Sequence, residues 1–273
     1  MPELPEVETI ARALRPQLKG RTILEAEVRW ARTVAVPSVK KFKEQIKGQQ
    51  VREVSRRGKF LHLELTTLHL LFHLRMSGDL SIKEGKIVPE KHDRLIVSLG
   101  PFPGRRKPKS SLVFNDTRKF GRVWLIKNME EVTGRLGPEP LQAEFTSQWL
   151  FTALHSRRRQ LKPLLLDQTF LAGLGNIYTD EALHKAKLHP LALSDAVTPK
   201  QADKLHGAIQ TILREAIRRN GASFDWVYRG GEFQNHFRVY DREGKACPVC
   251  GTTIQRLVVG QRGTHICPNC QRE

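Results

Sequence analysis

The sequence predicts an α+β multidomain protein, in which an N-terminal β-sandwich with one helix is followed by a helical domain and a four-cysteine zinc finger. Three observations predict this fold class. Short apolar segments recur up to about residue 126, helical periodicity replaces them from residue 147 to about residue 219, and all four cysteines lie beyond residue 246. A chain of 273 residues with 39% hydrophobic content can bury a sizeable core in two domains.

The N-terminal half begins with a helical pattern and continues with strands. After Pro5, apolar residues recur at helical spacing until Gly20, at Val7, Ile10, Leu14 and Leu18. Strand-like segments follow at residues 23–28, 51–54, 60–65, 70–74, 95–99, 112–114 and 123–126. Residues 60–65 alternate partly and other segments are nearly all apolar, as is typical of strands in a sandwich. One helix on a β-sandwich is therefore expected here.

The middle of the chain is expected to be a linker followed by helices. Residues 136–140 (LGPEP) have the glycine and prolines of a linker, and the clearest helical stripe follows at Leu205, Ile209, Ile212 and Ala216. We expect a domain at residues 1–135, a linker at 136–150, a helical domain at 151–230 and a zinc-finger hairpin at 231–273.

The four cysteines have the spacing of a zinc site. Cys247 and Cys250 form one C-x₂-C pair, Cys267 and Cys270 form another, and 16 residues separate the pairs. Two disulfides would be the alternative, which an intracellular protein disfavours. Four thiolates leave no open ligand position, so one structural Zn²⁺ is expected, and His265 is interpreted as a hairpin residue. Strands at 254–259 and 264–266 are expected to flank a turn at 260–263.

The first six residues (MPELPE) combine two prolines with two carboxylates. If Met1 is removed, Pro2 exposes a secondary amine. An α-amino group titrates near pH ~8, below a lysine side chain at about 10.4, and is partly nucleophilic at neutral pH. A secondary amine forms a cationic iminium with an aldehyde carbon, and Glu3 and Glu6 could move protons there. The alternative is that the prolines and acidic residues merely begin a helix.

The charge of the chain indicates a polyanionic partner. The sequence has 46 Lys and Arg against 28 Asp and Glu, a formal net charge of +18 and a pI near 10.2. Basic residues cluster at residues 56–57, 105–109, 157–159 and 218–219. Nucleic acid is the first candidate, since neutralised phosphates release counterions. The sequence has neither an apolar run of membrane-spanning length nor a secretory leader, which favours a cytoplasmic protein.

Residues 164–183 place a Gly-x-Gly-Asn turn, from Gly173 to Asn176, between two helical segments. Backbone amides of such a turn and of the following helix can bind a phosphate. An ordinary connection between two helices is the alternative.

In order along nearly the whole chain, these segments resemble the formamidopyrimidine-DNA glycosylase family of bacterial repair enzymes. The resemblance rests on residues 1–9, 56–60, 73–78, 116–121 and 168–181 and on the zinc motif. It implies a β-sandwich joined to a helix-two-turns-helix DNA-binding domain with a zinc finger. It also implies damaged double-stranded DNA as the partner, a cytoplasmic bacterial monomer, and removal of oxidised purines followed by strand cleavage.

The resemblance implies catalytic roles for five residues. Pro2 attacks the anomeric carbon, and the resulting iminium permits β,δ-elimination of both phosphates. Glu3 assists proton transfer and Glu6 supports the site. Lys59 approaches the lesion or a flanking phosphate and assists elimination, and Arg262 binds a phosphate and assists the second elimination. No soluble cofactor is expected.

Six further residues are expected to contact DNA: Met76, His92, Arg118, Phe120, Arg157 and Asn176. By the same resemblance, Met76, Arg118 and Phe120 fill the space that the extruded nucleotide leaves, and Asn176 binds a backbone phosphate. Core packing is the alternative for Met76 and Phe120. A solvated surface position is the alternative for His92 and Arg157.

Two segments depart from the family pattern. Residues 224–232 are shorter than the family loop that closes over the extruded base, which bears on preference for 8-oxoguanine more than on ring-opened purines. The loop at residues 100–110 is extended and basic. Two alternative functions stay open at this point: an endonuclease VIII-type glycosylase for oxidised pyrimidines, which Leu4 and residues 118–120 disfavour, and a non-catalytic binder of damaged DNA.

Overall fold

The computed structural model describes residues 1–102, 110–223 and 230–272, and these form two compact units. Within the described residues, the first unit comprises residues 1–2 and 6–135, and the second comprises residues 3–5, 136–223 and 230–272. The first unit is dominated by sheets and the second by helices, which confirms the predicted α+β multidomain class.

The strands of the first unit form two sheets. The elements in chain order are α1 (Leu4–Leu18), β1 (Ile23–Val28), β2 (Val34–Val36), α2 (Val39–Ile46), β3 (Val51–Arg57), β4 (Phe60–Leu65), β5 (His69–His73), β6 (Gly78–Glu84), β7 (Asp93–Leu99), β8 (Ser110–Asp116), β9 (Arg122–Ile126) and α3 (Glu130–Thr133). One sheet has the order β1-β7-β8-β6, and the other has the order β2-β9-β5-β4-β3. Only β2 and β9 pair in parallel among the described strands.

One hydrophobic core lies between the two sheets. Apolar side chains of both sheets belong to a single buried cluster, together with the α1 stripe that includes Val7 and Leu14. Burial of this apolar surface stabilises the sandwich and fixes which face of each strand is inside. The structure adds α2 and the four-residue helix α3 to the one helix that was predicted. Phe42 and Ile46 of α2 are fully buried in the same cluster.

Within its described residues, the second unit contains four α-helices that follow the linker region, and a hairpin. Its elements are α4 (Ser147–His155), α5 (Leu161–Leu166), α6 (Asn176–Ala186), α7 (Pro199–Arg218), β10 (Gln255–Val259) and β11 (Arg262–Ile266). A capping box between Thr198 and Gln201 begins α7. The short helix α5, the turns that follow it and α6 form the helix-two-turns-helix arrangement. None of the described helices has the length and apolar character needed to cross a membrane.

The hairpin differs slightly from the predicted boundaries. Gly260 and Gln261 have φ angles of +54° and +62°, the conformation of a tight two-residue hairpin turn. Arg262 and Gly263, which were expected in the turn, instead begin β11 and pair with Val259 and Val258. The side chain of Arg262 is exposed at this end of the hairpin.

Candidate active site and nucleic-acid interface

The carboxylate of Glu3 is bound at the N-terminal end of α6. Its Oε2 accepts a hydrogen bond from the amide of Gly175 at 2.7 Å, and its Oε1 accepts one from the amide of Ile177 at 3.0 Å. Glu3 is only 3% exposed. A helix N-terminus carries unpaired amides and a partial positive charge, so it stabilises a carboxylate there. This segment therefore holds the acidic group that the sequence proposed as a proton carrier.

Two glycines make room for the N-terminal segment. A Cβ on Gly175 would lie 2.3 Å from Cδ of Glu3, and a Cβ on Gly173 would lie 2.6 Å from Cδ1 of Leu4. Gly173 also has a φ of +97°, and its carbonyl accepts a hydrogen bond from the Leu4 amide at 3.1 Å. The Gly-x-Gly turn thus admits Glu3 and Leu4, which the sequence interpretation as a phosphate-binding turn did not anticipate.

Gln168 fixes the backbone of this turn. Its side-chain nitrogen donates to the carbonyl of Leu174 at 2.8 Å, and its side-chain oxygen accepts from the amide of Gly173 at 2.9 Å. The side chain of Gln168 therefore holds the backbone on both sides of the peptide bond between Gly173 and Leu174. This keeps the following amide, that of Gly175, directed toward Glu3.

Pro2 directly precedes Glu3 in the chain and is buried. Since α1 begins at Leu4, Pro5 lies in the first helical turn and Pro2 lies outside the helix. Helix initiation therefore explains Pro5 but not Pro2. Glu6, also in the first turn of α1, is 3% exposed.

The N-terminus of α6 also contacts the zinc-finger hairpin. Asn176 is the first residue of α6, and its Nδ2 donates to the carbonyl of Gly263 at 3.0 Å. Gly263 directly follows Arg262, so two of the expected phosphate-binding residues lie beside one another in the second unit. Arg262 is exposed and Asn176 is half-buried.

A buried ion pair holds the same hairpin. Lys162 in α5 is fully buried, and its Nζ donates to Asp180 Oδ1 at 2.6 Å, to Thr264 Oγ1 at 2.8 Å and to the Gly263 carbonyl at 3.0 Å. The other oxygen of Asp180 accepts from the amide of His265 at 2.9 Å. With every ammonium proton in a hydrogen bond, the buried charge is compensated, and the hairpin is joined to α5 and α6. Sequence analysis did not identify Lys162 or Asp180.

A polar cleft opens next to Asn176. Its volume is about 450 Å³, and it is lined by Asn176, Tyr240, Asp241, Glu243, Arg256, Gly263 and His265. Burial is the largest influence on Tyr240 and raises its pKa, although a hydrogen bond with Asn176 opposes that rise. The phenol therefore stays protonated at neutral pH and can donate a hydrogen bond. Tyr240 is a candidate phosphate-contacting residue that sequence reasoning missed.

Lys59 lies in the two-residue turn between β3 and β4 in the first unit. Gly58 precedes it with a φ of +56°, and Lys59 is only 6% exposed. Burial, reinforced by the positive charges of Arg75 and Lys59, lowers the pKa of His73 to about 3. His73 is therefore a neutral histidine close to Lys59, and sequence reasoning assigned it no role.

Met76, Arg118 and Phe120 lie at the protein surface. Met76 is 47% exposed and Phe120 is 48% exposed, so core packing does not account for either side chain. The guanidinium of Arg118 lies over the Phe120 ring, 5.0 Å from its centroid. Exposed apolar side chains next to a stacked arginine suit insertion into a base stack.

His92 and Arg157 occupy different units. In the first unit, Nδ1 of the half-buried His92 lies 3.0 Å from a terminal nitrogen of Arg94. In the second unit, Arg157 is exposed, and its guanidinium lies 5.3 Å from the centroid of the Phe170 ring. Both positions are accessible from the surface.

The four cysteines form a structural zinc site. Their sulfur atoms all lie within 4.8 Å of one another, and the Sγ atoms of Cys250 and Cys267 are 3.4 Å apart. A tetrahedral zinc with Zn–S bonds of about 2.3 Å requires sulfurs roughly 3.8 Å apart, so the cluster fits that ion. All four thiols are free of disulfides. Cys247 and Cys267 also belong to a small buried cluster with Val239 and Ile254, so a zinc ion held by the four cysteines would lie at the core of the finger.

Two predicted features lie outside the described residues. These are most of the basic loop at residues 100–110 and most of the short loop at residues 224–232.

Comparison with protein families gives three consecutive matches. Residues 1–123 match the formamidopyrimidine-DNA glycosylase N-terminal domain, and residues 136–226 match the formamidopyrimidine-DNA glycosylase H2TH domain. Residues 244–272 match the zinc finger found in FPG and IleRS.

Individual relatives cover the whole chain. The formamidopyrimidine-DNA glycosylase of Chloroflexus aurantiacus is 46% identical over 279 residues, covering 99% of this chain and 98% of that protein. The enzyme of the same name from Pelotomaculum thermopropionicum is 41% identical and covers 100% and 99% of the two chains. A Lactococcus lactis Fpg bound to DNA with an abasic site has a TM-score of 0.90 and 35% identity, covering 99% and 100% of the two chains. A complex of MutM with DNA containing carbocyclic 8-oxo-G has a TM-score of 0.90 and 35% identity, with full coverage of both chains.

Proposed function

The chain belongs to the formamidopyrimidine-DNA glycosylase family, and on that premise we propose that it is a bifunctional glycosylase and abasic-site lyase acting on oxidised or ring-opened purines in double-stranded DNA. One observation carries the proposed mechanism. The carboxylate of Glu3 is fixed by two amides at the start of α6, and Pro2, the proposed nucleophile, is covalently next to it.

The reaction begins with the amine of Pro2 once Met1 has been removed. The target nucleotide leaves the base stack at a cost of a few kcal/mol. The nitrogen lone pair of Pro2 forms a bond to C1′ of the deoxyribose, and the bond from C1′ to the base breaks. The base departs with that electron pair and takes up the proton that the Pro2 nitrogen loses. Glu3 delivers a proton to the ring oxygen as the sugar opens, which leaves an iminium between Pro2 and C1′.

The iminium makes strand cleavage possible. As an electron sink, it acidifies C2′, and loss of a C2′ proton expels the 3′ phosphate, after which a second elimination expels the 5′ phosphate. Lys59 and Arg262 assist these eliminations, and Glu6 supports the site. Hydrolysis of the remaining iminium regenerates the amine.

The other candidate residues bind and open the DNA. We propose that Met76, Arg118 and Phe120 occupy the space left by the extruded nucleotide. Asn176, His92 and Arg157 contact the DNA outside that space, most simply at backbone phosphates, which position the duplex without reading its sequence. The structural zinc holds the hairpin that presents Arg262 and takes no part in the chemistry.

We also propose the domain division and the state of the protein. Residues 1–135 form the catalytic β-sandwich domain, residues 136–150 a linker, residues 151–230 the helix-two-turns-helix domain and residues 231–273 the zinc-finger hairpin. The protein acts as a monomer in the bacterial cytoplasm. Damaged double-stranded DNA is its partner.

Borohydride trapping tests this function. The purified protein is incubated with duplexes that contain 8-oxoguanine, a ring-opened guanine, an oxidised pyrimidine or an abasic site, and borohydride is added to reduce the iminium. Covalent adducts on the purine lesions and the abasic site are expected. Adducts only on the pyrimidine lesion would favour an endonuclease VIII-type enzyme, and the absence of adducts on every duplex would favour a non-catalytic binder.

The identity of the nucleophile is tested separately. Replacing Pro2 by glycine exchanges the secondary amine for a primary one, and we expect base excision to fall far more than DNA affinity does. Excision at the wild-type rate by the Pro2→Gly variant would contradict the proposed role. Mass spectrometry of an active preparation is expected to show that Met1 has been removed, and full retention of Met1 would rule out the Pro2 amine.

A further inference from the structure

We propose that Asp116 is a positioning residue that joins the two turns carrying Met76, Arg118 and Phe120 into one rigid wedge. The inference rests on the proposed function, because the wedge has a purpose only if these three side chains enter the DNA. It concerns a buried carboxylate to which the proposed mechanism assigns no catalytic role.

The carboxylate of Asp116 bonds to both turns at once. Its Oδ1 accepts from the hydroxyl of Ser77 at 2.5 Å and from the amide of Arg118 at 3.2 Å, while its Oδ2 accepts from the amide of Gly121 at 2.7 Å. The Arg118 amide also lies 3.1 Å from the Ser77 hydroxyl. Ser77 directly follows Met76, and Gly121 directly follows Phe120, so each exposed apolar residue has a neighbour tied to this one side chain.

Burial makes these bonds strong. Asp116 is only 1% exposed, so water does not compete for its oxygen atoms. The main chain of the same residue is held as well, because Nε of the buried Arg94 donates to its carbonyl at 2.7 Å. Hydrogen bonds to a charged acceptor are shorter and stronger than neutral ones, particularly where the effective dielectric constant is low.

Packing beneath the carboxylate keeps the two turns close together. A Cβ on Gly78 would lie 2.8 Å from Cε2 of Phe114, and a Cβ on Gly121 would lie 2.4 Å from Cζ of the same ring. Each turn therefore contacts the Phe114 ring through a glycine. A side chain at either position would push its turn away from the carboxylate.

The backbone of both turns requires such a restraint. Arg75 and Lys119, the residues that directly precede Met76 and Phe120, have φ angles of +56° and +61°. Residues with side chains rarely adopt this left-handed conformation, and they keep it only where the surrounding structure holds them there. The bonds from Asp116 to the following residues supply that restraint in both turns.

Substitution of Asp116 by asparagine tests the proposal with little change in shape. An asparagine has one acceptor oxygen where three donors converge, so its NH₂ group must face a donor of one of the turns. We expect single-turnover excision from a lesion-containing duplex to fall at least about tenfold, which corresponds to about 1.4 kcal/mol on the barrier. Fluorescence of a 2-aminopurine placed opposite the lesion reports how this base is stacked. In Asp116→Asn it is expected to differ from the wild-type signal, because the space left by the extruded nucleotide is filled less completely.

Two controls separate positioning from loss of stability. A single-stranded abasic oligonucleotide has no base stack from which a nucleotide must be extruded, so the wedge is not needed there. Borohydride trapping on this oligonucleotide should therefore proceed at the wild-type rate in Asp116→Asn. Asp93 is equally buried, and its bonds go to Asn115 at 2.8 Å and to the Glu90 amide at 2.9 Å. Asp93→Asn should lower stability to a similar degree while leaving excision unchanged. If Asp116→Asn does not fold, Ser77→Ala provides the test instead. This substitution removes only the hydrogen bond between Ser77 and Asp116, and duplex excision should fall less than is expected for Asp116→Asn.

A double-mutant cycle identifies the residues through which Asp116 acts. In a Met76→Ala and Phe120→Ala background, where both apolar side chains of the wedge are absent and only Arg118 remains, Asp116→Asn should cause a much smaller loss of excision than it does in the wild type. Three outcomes would overturn the inference and leave the glycosylase function intact. The losses of excision rate could be fully additive in the cycle, Asp116→Asn could excise at the wild-type rate, or Asp116→Asn could lose as much trapping on single-stranded abasic DNA as it loses excision on the duplex. If the double alanine variant itself excised normally, the wedge role within the proposed function would fail and the Asp116 proposal with it.

Discussion

The N-terminal Glu3 shows how a single residue depends on a distant turn. Its carboxylate accepts two backbone amides at the start of α6, which is possible only because Gly175 has no side chain. A carboxylate held in this way keeps one orientation relative to the start of α6. The position of the proposed proton carrier is therefore set by a glycine more than 170 residues away in the sequence.

Gly175→Ala is expected to destabilise the protein and to reduce excision. The added Cβ would lie 2.3 Å from Cδ of Glu3, so the carboxylate must leave the two amides or the turn must move. Leaving buried amides without an acceptor costs about 1–3 kcal/mol. The measurements are the urea unfolding midpoint and the single-turnover excision rate.

Gly207→Ala is the matched control. Gly207 is an exposed residue inside α7, and apart from its chain neighbours and the backbone of its own helix no atom lies within 4 Å of the position that an added Cβ would occupy. Alanine should raise stability there by roughly 0.5–1 kcal/mol, because it restricts the unfolded chain and favours the helix. Equal effects of the two substitutions would contradict the steric argument for Gly175.

Sequence reasoning found the residues of the site more readily than the contacts that position them. The Pro2 and Glu3 segment and the Gly-x-Gly-Asn turn were both identified, but the pattern gave no reason to place Glu3 at that turn. Asp116 lies in one of the matched segments, but neither Asp116 nor Lys162 was assigned a role, because the role of a buried carboxylate or ammonium is recognisable only when its partners are known. Those partners lie at sequence separations from two to more than one hundred residues.

At the scale of elements, the zinc-finger hairpin is held from two sides. The thiolate cluster lies at one end, and the Lys162 and Asp180 pair joins Gly263, Thr264 and His265 to helices α5 and α6 at the other. The hairpin itself has only two strands, which alone are marginally stable in water. The metal and the buried ion pair therefore determine whether Arg262 is presented in a fixed place.

Cys250→Ser is expected to remove zinc and weaken DNA binding. Three thiolates and a hydroxyl hold zinc much less tightly, and binding of structural zinc in such fingers contributes about 10–16 kcal/mol to folding at neutral pH. Zinc content by atomic absorption and DNA affinity by fluorescence anisotropy measure the two losses. Chelation of the wild-type protein should reproduce them, and added zinc should reverse them. Unchanged zinc content and affinity in Cys250→Ser would contradict the metal assignment.

Arg262 and Asn176 should differ in the salt dependence of DNA binding. Both lie at the same place in the second unit, but only Arg262 carries a charge. A neutralised phosphate contributes about −0.9 to the slope of log Kobs against log[salt]. Arg262→Ala should therefore reduce the magnitude of the slope by about that amount, whereas Asn176→Ala should weaken binding at every salt concentration with the slope preserved.

Arg272→Ala provides the control for this pair. Arg272 is another exposed arginine of the finger, and its guanidinium donates to Asn269 at 2.9 Å. Its loss should change neither affinity nor slope. The same slope in Arg262→Ala as in the wild type would argue against a phosphate contact at Arg262.

The elements missed from the sequence have a physical explanation. Helix α2 has the sequence VKKFKEQI, in which Phe42 and Ile46 are the anchors, and that is too short a stripe to be recognised as a helix. Strand β2 has three residues, and β6 contains Asp79, Ser81 and Lys83 between its apolar positions. Both strands are edges of their sheets, where one side lacks a neighbour and apolar content is low. The central strands, buried on one face or both, were found with boundaries close to those observed.

On the scale of the whole molecule, the formal net charge of +18 counts every histidine as neutral, and burial keeps two histidines of the first unit in that form. Burial and the neighbouring His69 lower the pKa of His62 to about 4. Burial together with Arg75 and Lys59 lowers the pKa of His73 to about 3. Neither ring adds positive charge at neutral pH, and both must acquire a proton when the chain unfolds in mild acid.

The stability of the protein should therefore fall as the pH drops below about 6.5, the unperturbed histidine value. Between that pH and the lowered pKa of the folded state, the unfolded chain binds more protons, so acid favours unfolding by up to about 1.4 kcal/mol per pH unit for each histidine. His62 in the folded state hydrogen-bonds Ser55 at 3.0 Å and His69 at 2.9 Å.

Replacing His62 by glutamine removes the titration and should flatten the decline of the urea midpoint between pH 6.5 and about 4. His236→Gln, at an exposed position, should keep the wild-type decline. Carboxylates contribute to the decline equally in all three proteins, so only the difference between slopes is informative, and an identical slope in His62→Gln would show that this histidine is not buried in its neutral form.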